Sequence, residues 1–484
     1  MLRPKTLAAS LLLSAAGIAL SCPPARAQTV VTLKHQAPGG ADLTFQLTDG
    51  RILAQGDNSS DWYVLTPDAN GQYVDGTWTQ VGSLPADYSP YAFASSVLAD
   101  GRVVIAGGEY NFGNFALTDL CAIFDPATNK WTKLKPPHGW GYIGDSPSLV
   151  LPNGDYLIGR KLSKKIAELN PATLKWTELA FTGKSDFNAE EGWTLMPDGT
   201  VLTYDVKNAP NSESYNPATQ TWSSLGSTPV PLNSPPAEKS VTYPGGVYHP
   251  PGEVGPGMLL PNGNVFATGG TPKGGTFGHT AIYTPGANGA VGTWATGPNF
   301  PAGDQAGDSF ATLLPTGNVL VEGDSGRLYE FDGTNLNKTS FSGGGNSLMI
   351  LPTGQVLIGG QELYQAAGSV NPAWAPVITT YPGSVTPGTT YPISGQQFNG
   401  MSQANSFGDE LETATNYPLV TITNTSTGHV VYAKTHDHST MGVATGKTTV
   451  STNFDVPATI ETGASTLTVI ANGIPSAPVD ITVE

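Results

Sequence analysis

The chain has 484 residues, with 22 basic side chains against 38 acidic ones and a formal net charge of −16. A field of that sign repels phosphate backbones and anionic headgroups, so nucleic acid and membrane surfaces are excluded as expected partners. Charged residues make up only 12% of the chain while glycine (59) and proline (40) are abundant, which points to an all-β protein and away from disorder.

Residues 1–27 have the form of an export signal. Arg3 and Lys5 supply the positive start, and Leu7 to Leu20 is apolar but short for a membrane span. Ala25-Arg26-Ala27 gives a small-x-small cleavage pattern that leaves Gln28 first. A minor alternative makes Cys22 a lipidated anchor, although Ala19-Leu20-Ser21 is a poor context for it. Removing this segment takes away three basic residues and no acidic one, leaving 19 basic against 38 acidic. No later apolar run is long enough to cross a bilayer, so no transmembrane segment is expected. Only Cys121 then remains, which rules out an intrachain disulfide.

Seven internal repeats follow. They read FQLTDGRILAQG, SSVLADGRVVIAGG, SLVLPNGDYLIG, TLMPDGTVLTYD, MLLPNGNVFATGG, TLLPTGNVLVEG and MILPTGQVLIGG. Each is an apolar strand, a polar turn ending in glycine, and a second apolar strand, which is the pattern of a tight hairpin. Five repeats continue into a second hairpin whose last strand carries a tryptophan: Trp78, Trp131, Trp176, Trp222 and Trp294. Four antiparallel strands per repeat make one propeller blade, with those tryptophans expected between blades. The seventh repeat stops short at Pro372, and Thr29-Val30-Val31-Thr32-Leu33 is suited to supply its missing strand. The expected fold is therefore a seven-bladed kelch-like β-propeller over residues 28–372.

From about Pro376 the pattern changes to short alternating strands, such as YPLVTITN, HVVYAKT and STLTVIANGIPSAPVDITV. Residues 376–484 read as an Ig-like (E-set) β-sandwich.

Kelch blades followed by these C-terminal strands resemble the galactose oxidase and glyoxal oxidase family of secreted copper enzymes, over nearly the whole mature chain. The resemblance implies a copper site with a Tyr-His pair, a tyrosine cross-linked to cysteine, and a histidine delivered up the channel by a C-terminal loop. Counting back from Gly263, the Tyr-His positions hold Glu253 and Val254, and the cross-linked tyrosine position is matched by Gly144-Asp145. Tyr248-His249 has the right letters at the wrong distance from Gly263. Cys121 lies in an alternating strand and reads as blade packing. The only counterpart for the last histidine is Thr435-His436-Asp437-His438. Copper stays an option as cofactor, but a Cys-Tyr radical is not expected.

Residues just before each inner strand should face the axial channel. They include Asp145, Glu190, Glu191, Glu253 and Asp308, with Trp140, Tyr142, Trp193, Tyr248, His249 and His279 on adjoining loops. Asp145, Glu190 and Asp308 are the candidate catalytic groups, because paired carboxylates with different protonation can act on a glycosidic bond. Trp140, Tyr142, Glu191, Glu253, His249 and His279 are the candidate substrate contacts. His436 and His438, two apart on a strand, are candidate metal ligands. The competing structural reading has the acidic residues hydrogen-bonding across the channel to hold blades in register.

The leading expectation is recognition, extending to processing, of an extracellular glycan or small sugar at the channel mouth by an exported monomer. The alternatives are a galactose oxidase-like metal oxidoreductase with an altered site, and a non-catalytic adhesion or scaffold propeller.

Overall fold

The computed structural model describes residues 27–484 apart from 58, 244, 245, 288, 289 and 346. The export signal expected over residues 1–27 therefore lies outside the described residues, Ala27 excepted. Among the described residues, no helix is long and apolar enough to cross a membrane.

Each sequence repeat folds into one antiparallel sheet, because its hydrophobic period is two and its turns carry glycine at positive φ. The first blade is Thr44–Gln46, Ile52–Gln55, Trp62–Thr66 and Thr77–Gln80, in that spatial order. The innermost strands of the next six blades are Ala94–Val97, Ser148–Val150, Thr194–Leu195, Val254–Leu259, Ala311–Leu313 and Leu348–Ile350. The innermost strand of blade seven packs against that of blade one, so the ring closes on itself. Closure is also made in sequence. Thr29–Thr32 forms the outer strand of blade seven, pairing Thr29 with Gln365 and Thr32 with Glu362.

The inner two strands of every blade are buried on both faces, and the outer tryptophans of blades two, three and five reach back to the preceding blade. The Trp131 ring lies 4.7 Å from that of Trp62. Trp176 Nε1 donates to the Lys135 carbonyl at 2.7 Å, and Trp294 Nε1 donates to Ser212 Oγ at 2.9 Å. Arginines in the inner turns add polar clamps: Arg102 Nη2 donates to the Pro171 carbonyl in the next blade at 2.6 Å.

The C-terminal strands form a connected β-structure in the order Val377–Thr380, Thr390–Gln396, Val450–Asp455, Val430–His436, Leu419–Asn424, Gly463–Ala471, Val479–Val483, Ser384–Val385. Their alternate residues build a separate core around Ile393, Val420, Phe454 and Leu467.

One segment leaves that core. Residues 402–418, between two C-terminal strands, are buried throughout and thread the propeller channel. Gln403 Oε1 accepts from the Leu195 amide (2.8 Å), Leu411 N donates to the Phe93 carbonyl (3.0 Å), and Ser95 Oγ donates to the Glu412 carbonyl (2.9 Å). Asn405–Ser406 adds a fifth strand to blade six. The loop thus touches inner strands of several blades.

Candidate functional site

The channel mouth is an acid-lined cavity of about 330 Å³, bordered by Tyr91, Tyr110, Asp145, Glu190, Glu253, Asp308 and Glu410 among others. Asp145, Glu190, Glu253 and Asp308 arrive from different blades because each stands just before an inner strand. Glu190 and Asp308 have left-handed backbones, at φ 53° and 50°. Such a conformation is disfavoured for non-glycine residues and persists where the surrounding structure holds it.

A single buried ammonium sits among these acids. Lys161 Nζ donates to Glu190 Oε1 at 2.5 Å and to Asp145 Oδ2, and lies 3.8 Å from Glu109 Oε1. Burial works against its charge, but Asp145, Glu190 and Glu109 outweigh that and hold it well above the ordinary lysine value. Burial pushes the Glu190 carboxyl up to about 7, with Lys161 opposing and Asp409 adding to the rise. Burial and then the Glu190 charge take Asp308 to about 7 as well. Burial also holds Asp145, Glu253 and Glu410 well above the carboxylate range.

The threading loop completes the cluster by bringing in Asp409 and Glu410. Ligand oxygens of Asp145, Asp409 and Glu410 all lie within 4.8 Å of one another, as do those of Glu190, Glu253 and Asp409. Two full negative charges at that spacing repel by roughly 3–4 kcal/mol at an effective dielectric constant of about 20. That repulsion disfavours having every member ionised at once.

Sequence reasoning brought Asp145, Glu190, Glu253 and Asp308 to one cavity, and the structure does the same. It missed Lys161, Tyr91, Tyr110, Asp409 and Glu410. The signal available for the last two was the long stretch ANSFGDELETATN, which lacks an alternating strand pattern, since such loops in compact domains are commonly functional.

The remaining candidates lie elsewhere. Trp140 is buried at the blade periphery, where its Nε1 donates to Glu178 Oε2 at 2.9 Å. Tyr142 is buried beneath the Arg160 guanidinium, 4.1 Å from its ring centre. Glu191 points away from the cavity to Lys184 Nζ at 2.7 Å. His279 is held by Asn299 Oδ1 at 2.7 Å and does not line the cavity. His249 lines a different pocket of about 680 Å³, with Phe187, Val206, Pro210 and Tyr248.

His436 and His438 are each held by other side chains. Asp437 between them has φ 52°, so the strand period of two is broken there. His436 bonds Asp437 at 2.8 Å and Asp455 at 3.1 Å. His438 is stacked on Tyr417 and bonds Thr452 Oγ1 at 2.9 Å, and burial pulls its imidazole down to about 3. The loop that enters the channel is 402–418, not the one carrying these histidines.

A second acidic group lies beside the fourth blade. Lys184 Nζ donates to Glu191 and, at 3.0 Å, to Glu213 Oε2. Asp186 accepts from the amides of Phe187, Lys207 and Asn208. Asp205 is buried beside them with no hydrogen-bond partner, and burial lifts its carboxyl to about 7.

No family model matches the chain. The kelch-like protein terF of Aspergillus terreus is 26% identical over 162 residues, covering 33% of this chain and 27% of that protein. The match therefore spans about a quarter of the relative's length. Among solved structures, a fungal alcohol oxidase of the AA5 family in complex with copper aligns with a TM-score of 0.48 and 15% identity, over 94% of this chain and 98% of its own. Virginiamycin B lyase from Staphylococcus aureus aligns with a TM-score of 0.46 and 10% identity, over 71% of this chain and 99% of its own. The fold is a kelch-type β-propeller. Seven repeats, seven sheets and the closing N-terminal strand establish it from this chain alone. Its acidic mouth is where blades and threading loop present the most chemistry.

Proposed function

We propose that the protein is exported and recognises an extracellular carbohydrate at the propeller mouth, with residues 1–27 as its signal, 28–372 as the propeller and 376–484 as an Ig-like sandwich. The observation that carries this reading is the cavity itself. Carboxylates from five blade approaches and the threading loop surround a space of about 330 Å³, with Tyr91 and Tyr110 at its edge. Carboxylates accept hydrogen bonds from sugar hydroxyls, and tyrosine faces pack on pyranose rings. Tyr91 is 44% exposed, and its ring centre stands 6.1 Å from that of Tyr110.

The same groups suit processing of a glycosidic bond. Glu190 and Asp308 lie near 7, so each is available both protonated and ionised at neutral pH. One can donate a proton to a leaving oxygen while an ionised neighbour stabilises the developing positive charge.

The donors do not fit a copper radical centre. Among the described residues, the cavity lining contains no histidine and no cysteine. Cys121 is buried in the second blade, paired with Ala106 and Leu134, and burial raises its thiol far above the usual range.

The scaffold reading has one observation in its favour: Lys161 ties Asp145 to Glu190, joining the approaches to blades three and four. A glycan array with a hydrolysis screen, run on wild type, Asp308→Asn and Glu190→Gln, separates the readings. Recognition requires glycan binding that weakens in both variants. Unaltered binding in both, or no glycan bound by the wild type, sinks it.

A further inference from the structure

We propose that the channel mouth holds a divalent cation of the calcium class, bound by Asp145, Asp409 and Glu410 with Glu190 and Glu253 beside them. The decisive residue is Asp409. It is 3% exposed, and among the described residues no amide, hydroxyl or ammonium donor reaches either carboxylate oxygen, whose hydrogen-bonding neighbours are the carboxyls of Glu190 and Glu410. A buried carboxylate left in that state is costly unless something positive meets it. Asp145 shows the same need on one side: Lys161 engages its Oδ2, while its Oδ1 has no donor. Asp409 belongs to both close carboxylate groups, so its oxygens stand where the two meet, within 4.8 Å of every other member's ligand atom.

The donor set decides the class of cation. Every member is a carboxylate, and none is histidine or cysteine. Hard oxygen donors in this number suit calcium, which accepts six to eight oxygens in flexible geometry. Magnesium demands a stricter octahedron and keeps several waters, and softer transition metals favour nitrogen or sulfur. Lys161 is the only ammonium in the cluster, and Asp145 and Glu190 already occupy it. With the acids ionised, no donor among the described residues reaches the Asp409 oxygens.

The second acidic group supplies the contrast. Asp186, Glu191 and Asp205 are equally close, but Lys184 stands among them and backbone amides saturate Asp186. There Lys184 and the backbone amides engage Glu191 and Asp186, and Asp205 alone of the three is without a donor.

This inference does not rest on the carbohydrate reading, because binding of the ion is measured directly. Purified protein is stripped with a chelator, dialysed against calcium chloride at about pH 8, and assayed for bound metal by mass spectrometry. Calcium and magnesium chloride are titrated in parallel by calorimetry. The expected result is one calcium per chain, magnesium bound more weakly, and calcium affinity reduced at least about tenfold in both Asp409→Asn and Glu410→Gln. Asp205→Asn, in the contrasting group, should bind as wild type does. Circular dichroism checks the fold of each variant, and if Asp409→Asn does not fold, Glu410→Gln decides. No calcium above the dialysis blank, wild-type affinity in the folded variants, magnesium bound as tightly, or an equal loss in Asp205→Asn would each overturn the proposal.

Discussion

The side-chain oxygen of Asn405 accepts a hydrogen bond from the backbone amide of Ile350 at 3.0 Å. That contact links the threading loop to the inner strand of blade seven. The same oxygen takes the Thr312 hydroxyl at 2.7 Å, and Asn405 Nδ2 donates to the Thr413 carbonyl at 2.9 Å. Four residues later the loop presents Asp409. Asn405→Ala takes this partner from a buried amide, a buried hydroxyl and a buried carbonyl, at about 1–3 kcal/mol for each left unpaired. Urea unfolding should show a loss of that order, and wild-type stability would show that the loop is held by other contacts.

Gly192 and Gly408 meet backbone to backbone at the start of blade four. A Cβ on Gly192 would overlap the Gly408 carbonyl oxygen, and neither backbone can yield cheaply. Gly192→Ala should therefore displace the segment carrying Asp409 and Glu410, lowering the melting temperature and weakening any ligand at the mouth. An unchanged melting temperature would contradict this placement of the loop.

Lys161→Met removes the only ammonium shared by Asp145 and Glu190. Breaking a buried ion pair from one side typically costs about 3–5 kcal/mol. The loss should be largest near pH 8 and smaller near pH 5, where the carboxyls take up protons instead. Equal losses at both pH values would show that packing, and not charge, is what Lys161 supplies.

The buried acids also set the direction of the pH dependence. Glu190, Asp308 and Asp205 are raised to about 7, and Glu191 to about 8. The folded state thus holds more protons than the unfolded chain between about pH 4 and pH 8. The stability these groups confer is fully present below their unfolded values and is lost as pH rises through their folded ones. Metal-free protein should melt at a higher temperature near pH 5 than near pH 8.5. A rise over that interval would reverse the sign assigned here.

Deleting residues 29–32 removes the outer strand of blade seven and opens the ring. Four ladder positions are lost and the edge Glu362–Gln365 is exposed, which should cost several kcal/mol at about 0.5–1.5 kcal/mol per hydrogen bond. Thermal unfolding measures it directly, and an unchanged midpoint would show that the ring closes without this strand.

The propeller was readable from residues alone because its determinants are local. A period of two, a turn glycine and a recurring tryptophan specify each blade, and repetition supplies the count. The closing strand followed from the same accounting, since the seventh repeat lacked a fourth strand and Thr29–Thr32 matched the need. Asp145, Glu190, Glu253 and Asp308 were likewise within reach, because equivalent positions in a ring converge on its axis. What sequence could not decide was which distant segment enters that axis. The histidines at 436 and 438 had the expected letters, but Asp437 breaks their strand and Tyr417 and Thr452 hold His438 aside. The segment that enters carries Asp409 and Glu410, and its course is set by contacts hundreds of residues away in sequence, such as Leu411 with Phe93 and Tyr417 with Gln46. Local patterns determine strands and turns, whereas the joining of buried charges depends on tertiary packing that excludes water and leaves each carboxylate to find its partner inside the protein.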